Sequence, residues 1–310
     1  MVFLKEKEEN MASLRDSYIQ AAMDSGIDYI LNDQQLKELK SVLLEMLHDV
    51  LDVCNRYNIT IALCGGSALG AVRHKGFIPW DDDLDVLMPR KDYERFKSIF
   101  PKEMSEKYYI AGPNIAGLSK QRFPKIFKKN TVYRSLSDVD SKLPSEIYID
   151  IFPVENVPSN KVLRFIKGSW CDFLMFCGTR VYLYEHDNEI YRSYMSATPK
   201  SKKKFERVIK TGKFLSFMSS KKWFDKIDRA VQYSKNTGLC SIPTGRKHYF
   251  GETLKEEYFF PVTKGQFEGM DVPLPADCDK YLSNLYGDYM KIPPEEKREK
   301  HFVVEFDSGR

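Results

Sequence analysis

The sequence predicts a mixed α/β fold, and three stretches carry that prediction. Residues 33–57 repeat apolar side chains at three- and four-residue intervals, which marks one face of a helix. Thr60-Ile61-Ala62-Leu63-Cys64 is a short, apolar, partly β-branched run broken by Gly65-Gly66, the composition of a buried strand ending in a turn. Asp83-Leu84-Asp85-Val86-Leu87-Met88 reads as a second strand with both aspartates on one face, because side chains alternate across a pleated strand.

Along the chain, the first helix rests on Leu36, Leu39, Val42, Leu43, Met46, Leu47, Val50, Leu51 and Cys54. After the glycine pair, residues 67–74 have helical composition, with Ser67 as the expected N-cap. A helix is expected over 90–100, and strands near 107–111, 122–127 and 146–152. Residues 160–232 read as mostly helical. Residues 259–275 read as a hairpin, with Gly265 and Gly269-Met270-Asp271 as turn candidates. Internal repeats and low-complexity linkers are absent, so a single domain over 1–310 is expected. Within it lie a core over 33–155, a partly basic helical segment over 160–232, and a C-terminal hairpin and closing segment over 250–310.

Composition narrows the function classes. A chain of 310 residues can bury one large core with a helical appendage. Residues 1–9 lack a sustained apolar stretch and are acidic after the first few positions, so no secretory leader is expected there. The most apolar long window, 163–184, is interrupted by Lys167, Asp172 and Arg180. A membrane span needs ~20 predominantly apolar residues, so this window reads as a buried or interfacial helix. Six cysteines show no Cys-x-x-Cys pair and no companion histidine spacing, which argues against a disulfide framework or zinc site and for a reducing cytoplasm. A formal charge of +4 with no recognisable binding fold argues against nucleic acid as partner.

The chemistry concentrates in Trp80-Asp81-Asp82-Asp83-Leu84-Asp85. Carboxylates this close repel unless a cation sits between them, and oxygen-rich clusters suit hard divalent ions such as Mg²⁺. A run of aspartates is usually a solvated turn, but this one leads at once into apolar Val86-Leu87-Met88. A calcium loop needs glycine at its sixth position and glutamate at its twelfth; here Val86 and Asp92 stand there, and that reading fails. The Asp-x-Asp of nucleotide-sugar glycosyltransferases stays open on the aspartates alone. Upstream, strand, Gly65-Gly66-Ser67 turn and helix start would aim backbone N–H groups at an anion above the turn.

Coupled in this way, the two halves resemble the signature of the nucleotidyltransferase superfamily. The longer string from Gly65-Gly66-Ser67-Ala68-Leu69-Gly70 through Arg73-His74-Lys75-Gly76-Phe77-Ile78-Pro79-Trp80 to Asp85 resembles the LicD family, which includes bacterial phosphocholine transferases and fukutin-type enzymes. Tyr148-Ile149-Asp150-Ile151-Phe152-Pro153 is similar to a second block of that family. Phe267-Glu268-Gly269, Val272-Pro273, Tyr281-Leu282, Tyr286-Gly287-Asp288-Tyr289-Met290, Pro293-Pro294, Arg298 and His301 are similar to its closing block. Residues 160–250 match no recognisable motif.

The resemblance implies a nucleotidyltransferase-like core sheet with surrounding helices and a helical insertion. It implies Mg²⁺-dependent transfer of a substituted phosphate, phosphocholine or another phospho-alcohol, from a CDP-activated donor to a hydroxyl of a cell-surface glycan or teichoic-acid-type precursor, releasing CMP. Mn²⁺ is the alternative ion, and a metal-dependent glycosyltransferase is the alternative activity. Asp83 and Asp85 are then the expected metal ligands, and Asp150 a third carboxylate that completes the site or accepts the proton of the attacking hydroxyl. Gly65, Gly66 and Ser67 would face the phosphate, while Arg73, Lys75 and Lys125, with Arg122, are cations able to neutralise it. Trp80 and His301 complete the expected substrate contacts. A choline headgroup favours an aromatic cage, for which Trp80, Tyr148, Phe152, Tyr286 and Tyr289 are candidates. Between 200 and 226, ten cations stand against Glu206 and Asp225 with interleaved aromatic residues. This segment reads either as a solvated helical face whose apolar side packs on the core or as a surface for an anionic glycan or leaflet. Under the second reading the cytoplasmic enzyme would be peripheral at the inner face of the membrane, with a lipid-linked acceptor.

Overall fold

A computed structural model of the protein describes residues 31–310 apart from 118, 136–144, 190–191, 193–194, 197, 296–297 and 299–301. The first helix, α1 (Asp33–Arg56), begins at a capping box in which Asn32 and Gln35 each accept the other's backbone N–H. Its apolar stripe is buried from Leu39 to Cys54. There follow β1 (Ala62–Leu63), α2 (Gly65–Arg73), β2 (Asp85–Pro89), α3 (Arg90–Glu103), β3 (Tyr108–Ala111), β4 (Lys125–Lys128), β5 (Val132–Ser135) and β6 (Tyr148–Asn156). The helical segment comprises α4 (Lys161–Glu185), α5 (Pro199–Leu215) and α6 (Ser220–Val231). The chain closes with β7 (Leu239–Ser241), α7 (His248–Gly251), β8 (Leu254–Lys255), β9 (Thr263–Phe267), β10 (Met270–Leu274), α8 (Cys278–Tyr286) and β11 (Val303–Asp307). The fold is mixed α/β, as the sequence predicts.

The central sheet runs in the order β1-β2-β6-β4-β3, with β7 pairing to the far end of β6 and β8 to β7. Strands β2 and β6 are parallel, and every other pair is antiparallel. The parallel pair is covered on both faces, which is why Val86-Leu87-Met88 is apolar and buried throughout and Ile149 and Ile151 are buried on either side of Asp150. The main core joins α1, α2, α3, the sheet, the β9–β10 hairpin and α8. A smaller core gathers Cys171, Leu174, Cys177, Trp223, Phe224, Ile227 and Tyr249 beneath the helical segment. Arg90 links the two, bonding Glu155 at the end of β6 and, at 2.8 Å, Asp228 of α6.

Several local expectations differ from what forms. Strand β2 starts at Asp85, so Asp83 precedes the ladder, and the same-face argument from strand alternation does not apply to it. Ser67 is not the N-cap of α2: Cys64 occupies that place, and Ser67 lies inside the first turn. The hairpin turns at Glu268-Gly269, both with positive φ, whereas Gly265 lies within β9 against Leu274. Strands β5, β7, β8 and β11 were not expected from the sequence.

Candidate active site

Register brings the chemistry together. In the parallel pair Asp85 stands opposite Asp150, and in the neighbouring antiparallel pair Asp150 stands opposite Lys125. Adjacent strands lie about 4.8 Å apart, so these three residues form one short row across the sheet. Lys125 Nζ is 2.8 Å from Asp150 Oδ1 and 3.4 Å from the centre of the Tyr148 ring. Asp150 is buried.

The start of α2 presses on the end of this row. Gly65 has φ +51°, and a Cβ there would stand 2.6 Å from Asp85 Oδ2. A Cβ on Gly66 would stand 2.8 Å from Asp81 Oδ2. Gly65 needs glycine for its left-handed backbone, whereas a side chain at Gly66 would have to displace the Asp81 carboxylate. Three hydrogen bonds fix the approach. The Cys64 N–H donates to the Asp85 carbonyl at 3.0 Å, the Asp85 N–H to Ser67 Oγ at 2.9 Å, and the Gly65 N–H to Tyr281 Oη at 3.1 Å. The buried Ser67 hydroxyl thus ties helix to strand.

Asp81, Asp83 and Asp85 line a cavity of about 120 Å³ with Gly65, Gly66, Phe152, Arg246, Glu252, Tyr281 and Tyr286. Asp82 turns away and accepts from Tyr133 Oη at 2.7 Å. Burial pushes the Asp85 carboxyl well above the ordinary carboxylate range; Asp83, Asp150 and Asp81 add to that, and Lys125 opposes it. Among the described residues no three His, Cys, Asp or Glu side chains are gathered into a closed ligand set. Mg²⁺ seldom asks for one: it keeps waters and takes one or two carboxylates with substrate phosphates. Asp83 and Asp85, beside a floor that any Cβ would fill, fit an ion shared in that way.

A second cavity, about 240 Å³, adjoins the first through Gly66, Asp81, Arg246 and Tyr286. Arg73, Trp80, Tyr289, Lys291 and Arg298 also line it. Arg73 donates to the Tyr289 carbonyl at 2.7 Å and to His74 Nε2 at 2.9 Å, and burial lowers its pKa. The Arg298 guanidinium lies 4.2 Å from the Trp80 ring centre, and that of Arg246 5.4 Å from the Tyr286 ring centre. Lys75 is exposed and lines neither cavity; its carbonyl accepts from the Glu268 N–H at 2.8 Å. Lys125 faces a third cavity, about 330 Å³, together with Arg122, Tyr133, Tyr148 and Tyr182. The cage candidates are thus divided: Phe152 and Tyr286 beside the aspartates, Trp80, Tyr286 and Tyr289 in the second cavity, and Tyr148 in the third. His301 lies outside the described residues.

Sequence reasoning missed Glu252. It is 2% exposed, it faces the aspartate cavity, and its Oε1 accepts from the Lys247 N–H at 2.8 Å. Burial pushes its carboxyl up to about 7. A Cβ on Gly245 would stand 2.4 Å from Glu252 Oε1, so Gly245 makes room for it. A lone glutamate far from the aspartates offers no spacing to read; only the fold brings it in.

The profile described as LicD/FKTN/FKRP, nucleotidyltransferase domain, matches residues 58–173, which contain the aspartates, Lys125 and Asp150. The chain is 30% identical over 278 residues to the lipopolysaccharide cholinephosphotransferase LicD of Haemophilus influenzae, covering 87% of this chain and 97% of that protein. It is also 34% identical over 103 residues to an uncharacterized protein of Rickettsia typhi (31% of this chain, 33% of that one). A protein of Rickettsia prowazekii, likewise uncharacterized, is 27% identical over 138 residues (40% and 52%).

Proposed function

The chain belongs to the LicD family, and from that premise we propose that it transfers phosphocholine, or a related phospho-alcohol, from a CDP-activated donor to a hydroxyl of a cell-surface glycan, releasing CMP. The glycan is of the lipopolysaccharide or teichoic-acid type. One observation carries the reading: Asp85, Asp150 and Lys125 stand in a row across three strands, beside a Gly65-Gly66 turn whose backbone closely approaches the carboxylates of Asp85 and Asp81.

Asp83 and Asp85 would hold Mg²⁺, with Mn²⁺ as the alternative, and the bound ion neutralises charge on the donor diphosphate. The remaining work is positioning and electrostatics by the chain's own residues. The second cavity, with Arg73, Arg246 and Arg298 among Trp80, Tyr286 and Tyr289, suits an anionic nucleotide carrying a stackable base. A cationic choline headgroup would be repelled by these three guanidinium groups and is better met beside the aspartates, by Phe152 and Glu252. The acceptor oxygen forms a bond to the choline-bearing phosphorus, the bridging P–O bond breaks, and CMP departs with the bridging oxygen. The hydroxyl proton passes to the Asp150 carboxylate. Lys125 pairs with that carboxylate through Oδ1.

The test is a panel of CDP-choline, CDP-ethanolamine, CDP-glycerol and CDP-ribitol with Mg²⁺ and a glycan acceptor, scored for CMP, beside nucleotide sugars scored for nucleoside diphosphate. CMP release from CDP-choline is expected. Nucleoside diphosphate from a sugar donor, with no CMP from any CDP-alcohol, would instead make the chain a glycosyltransferase.

A further inference from the structure

Helix α4 leaves part of one face bare. Val162, Phe165, Ile166, Trp170 and Phe173 fall within about two-fifths of its circumference at ~100° per residue, and they are 68%, 62%, 60%, 53% and 48% exposed. The opposite face, with Gly168, Cys171, Leu174 and Met175, is buried. Farther along, the same exposed face is covered by α5: a Cβ at Gly212 would stand 2.2 Å from the Arg180 carbonyl oxygen and 2.8 Å from Tyr184 Cβ. The C-terminal half of the face thus has a partner helix along it, whereas the N-terminal half, although Phe250 lies beside Phe165, stays more than half exposed at Val162, Phe165, Ile166 and Trp170. Two further rings, Phe214 and Phe217 near the end of α5, are 81% and 75% exposed. An exposed apolar face of this extent along one helix marks a docking site.

Charge selects the occupant. Residues 160–232 hold sixteen Lys and Arg against seven Asp and Glu, although the whole chain carries only +4. Lys161, Lys202, Lys203, Arg207, Lys210 and Lys213 are all exposed. A second copy would set these cations against themselves, whereas an anionic leaflet would neutralise them. An apolar face with a tryptophan and phenylalanines, on a basic helical segment, is the composition of a helix lying in a membrane interface. No helix among the described residues is long and apolar enough to cross a membrane, so this is a surface contact. We propose that the bare face of α4 seats the protein on an anionic lipid leaflet. The Phe165 ring lies 6.1 Å from that of Phe250, in the segment that carries Glu252. A lipid-linked acceptor would then be presented beside the aspartate cavity; this last clause alone rests on the transfer reading.

The full chain, without substrate, is co-sedimented with vesicles of phosphatidylcholine and phosphatidylglycerol (3:1) and with phosphatidylcholine alone. The wild type should partition onto the anionic vesicles. The variant F165S/I166S/W170S should lose at least tenfold in partitioning while keeping its melting temperature, because the three side chains make little packing to lose. Brominated acyl chains should quench wild-type fluorescence, and Trp170→Phe should remove that quenching, since of the other two tryptophans Trp223 is buried and Trp80 lines the second cavity beside Arg298. Equal partitioning of wild type and triple variant would overturn the assignment. So would a solution dimer that the triple variant splits without any loss of vesicle binding, because the face would then belong to a second copy.

Discussion

At Asp85, burial and three neighbouring carboxylates together raise the carboxyl above its ordinary range, with Lys125 acting the other way. A carboxyl raised in the folded state costs stability at every pH above its unfolded value, and the cost vanishes below that value. Asp85→Asn should therefore raise the metal-free melting temperature at pH 7, with the gain fading as pH falls towards 4. Transfer should be lost in Asp85→Asn and in Asp83→Asn, at saturating Mg²⁺ and with the fold intact by circular dichroism. Near-normal turnover in either variant would remove these residues from the reaction. Asp150→Asn should lower turnover by at least ~10²-fold, the usual range for a positioned proton acceptor, while donor binding changes far less. Glu252 gives a separate signature. With its carboxyl at about 7, it is neutral below that pH, so affinity for CDP-choline should fall as the pH drops from 8 to 6. Glu252→Gln should flatten that dependence and weaken CDP-choline more than CDP-glycerol; an unchanged ratio between the two donors would free Glu252 from the headgroup.

Among the elements, the α2–β2 junction governs the site, and its glycines offer the sharpest test. Gly66→Ala suits helix propensity yet drives a Cβ into Asp81, so turnover should fall at least ~10-fold with little change in melting temperature. Gly65→Ala adds a left-handed backbone to the same conflict and should also cost about 1–2 kcal/mol in denaturant unfolding. If both alanine variants transferred normally, the close approach would have no functional meaning. Periodicity made α1 and α3 legible, and apolar runs between turn residues revealed β1, β2 and β6 near their true places. What escaped were strands too short or too mixed to show a period: β7 and β8 have three and two residues, and β5 gains its partner only from β11, some 170 positions away. The N-cap at Cys64 escaped too, since the Ser67 hydroxyl serves the Asp85 N–H and not the helix end.

Across the whole molecule, one core holds the chemistry and a smaller basic helical unit flanks it, joined through Arg90, Glu155 and Asp228. The aspartates, the glycine turn and Asp150 were legible because each sits in a short, distinctive string. Their neighbours Glu252, Arg246 and Tyr281 come from distant segments that only the fold brings to the cavity. The central claim is that the choline-bearing phosphate itself moves, guided by Asp83, Asp85 and Asp150. It is tested most directly with CDP-choline labelled at the choline-bearing phosphorus, incubated with Mg²⁺ and a lipopolysaccharide-type glycan. The account expects the label to enter the glycan in step with CMP, and to do so with the wild type but not with Asp85→Asn. Label that stays soluble while the acceptor is modified, or enters the glycan equally with Asp85→Asn, would contradict it.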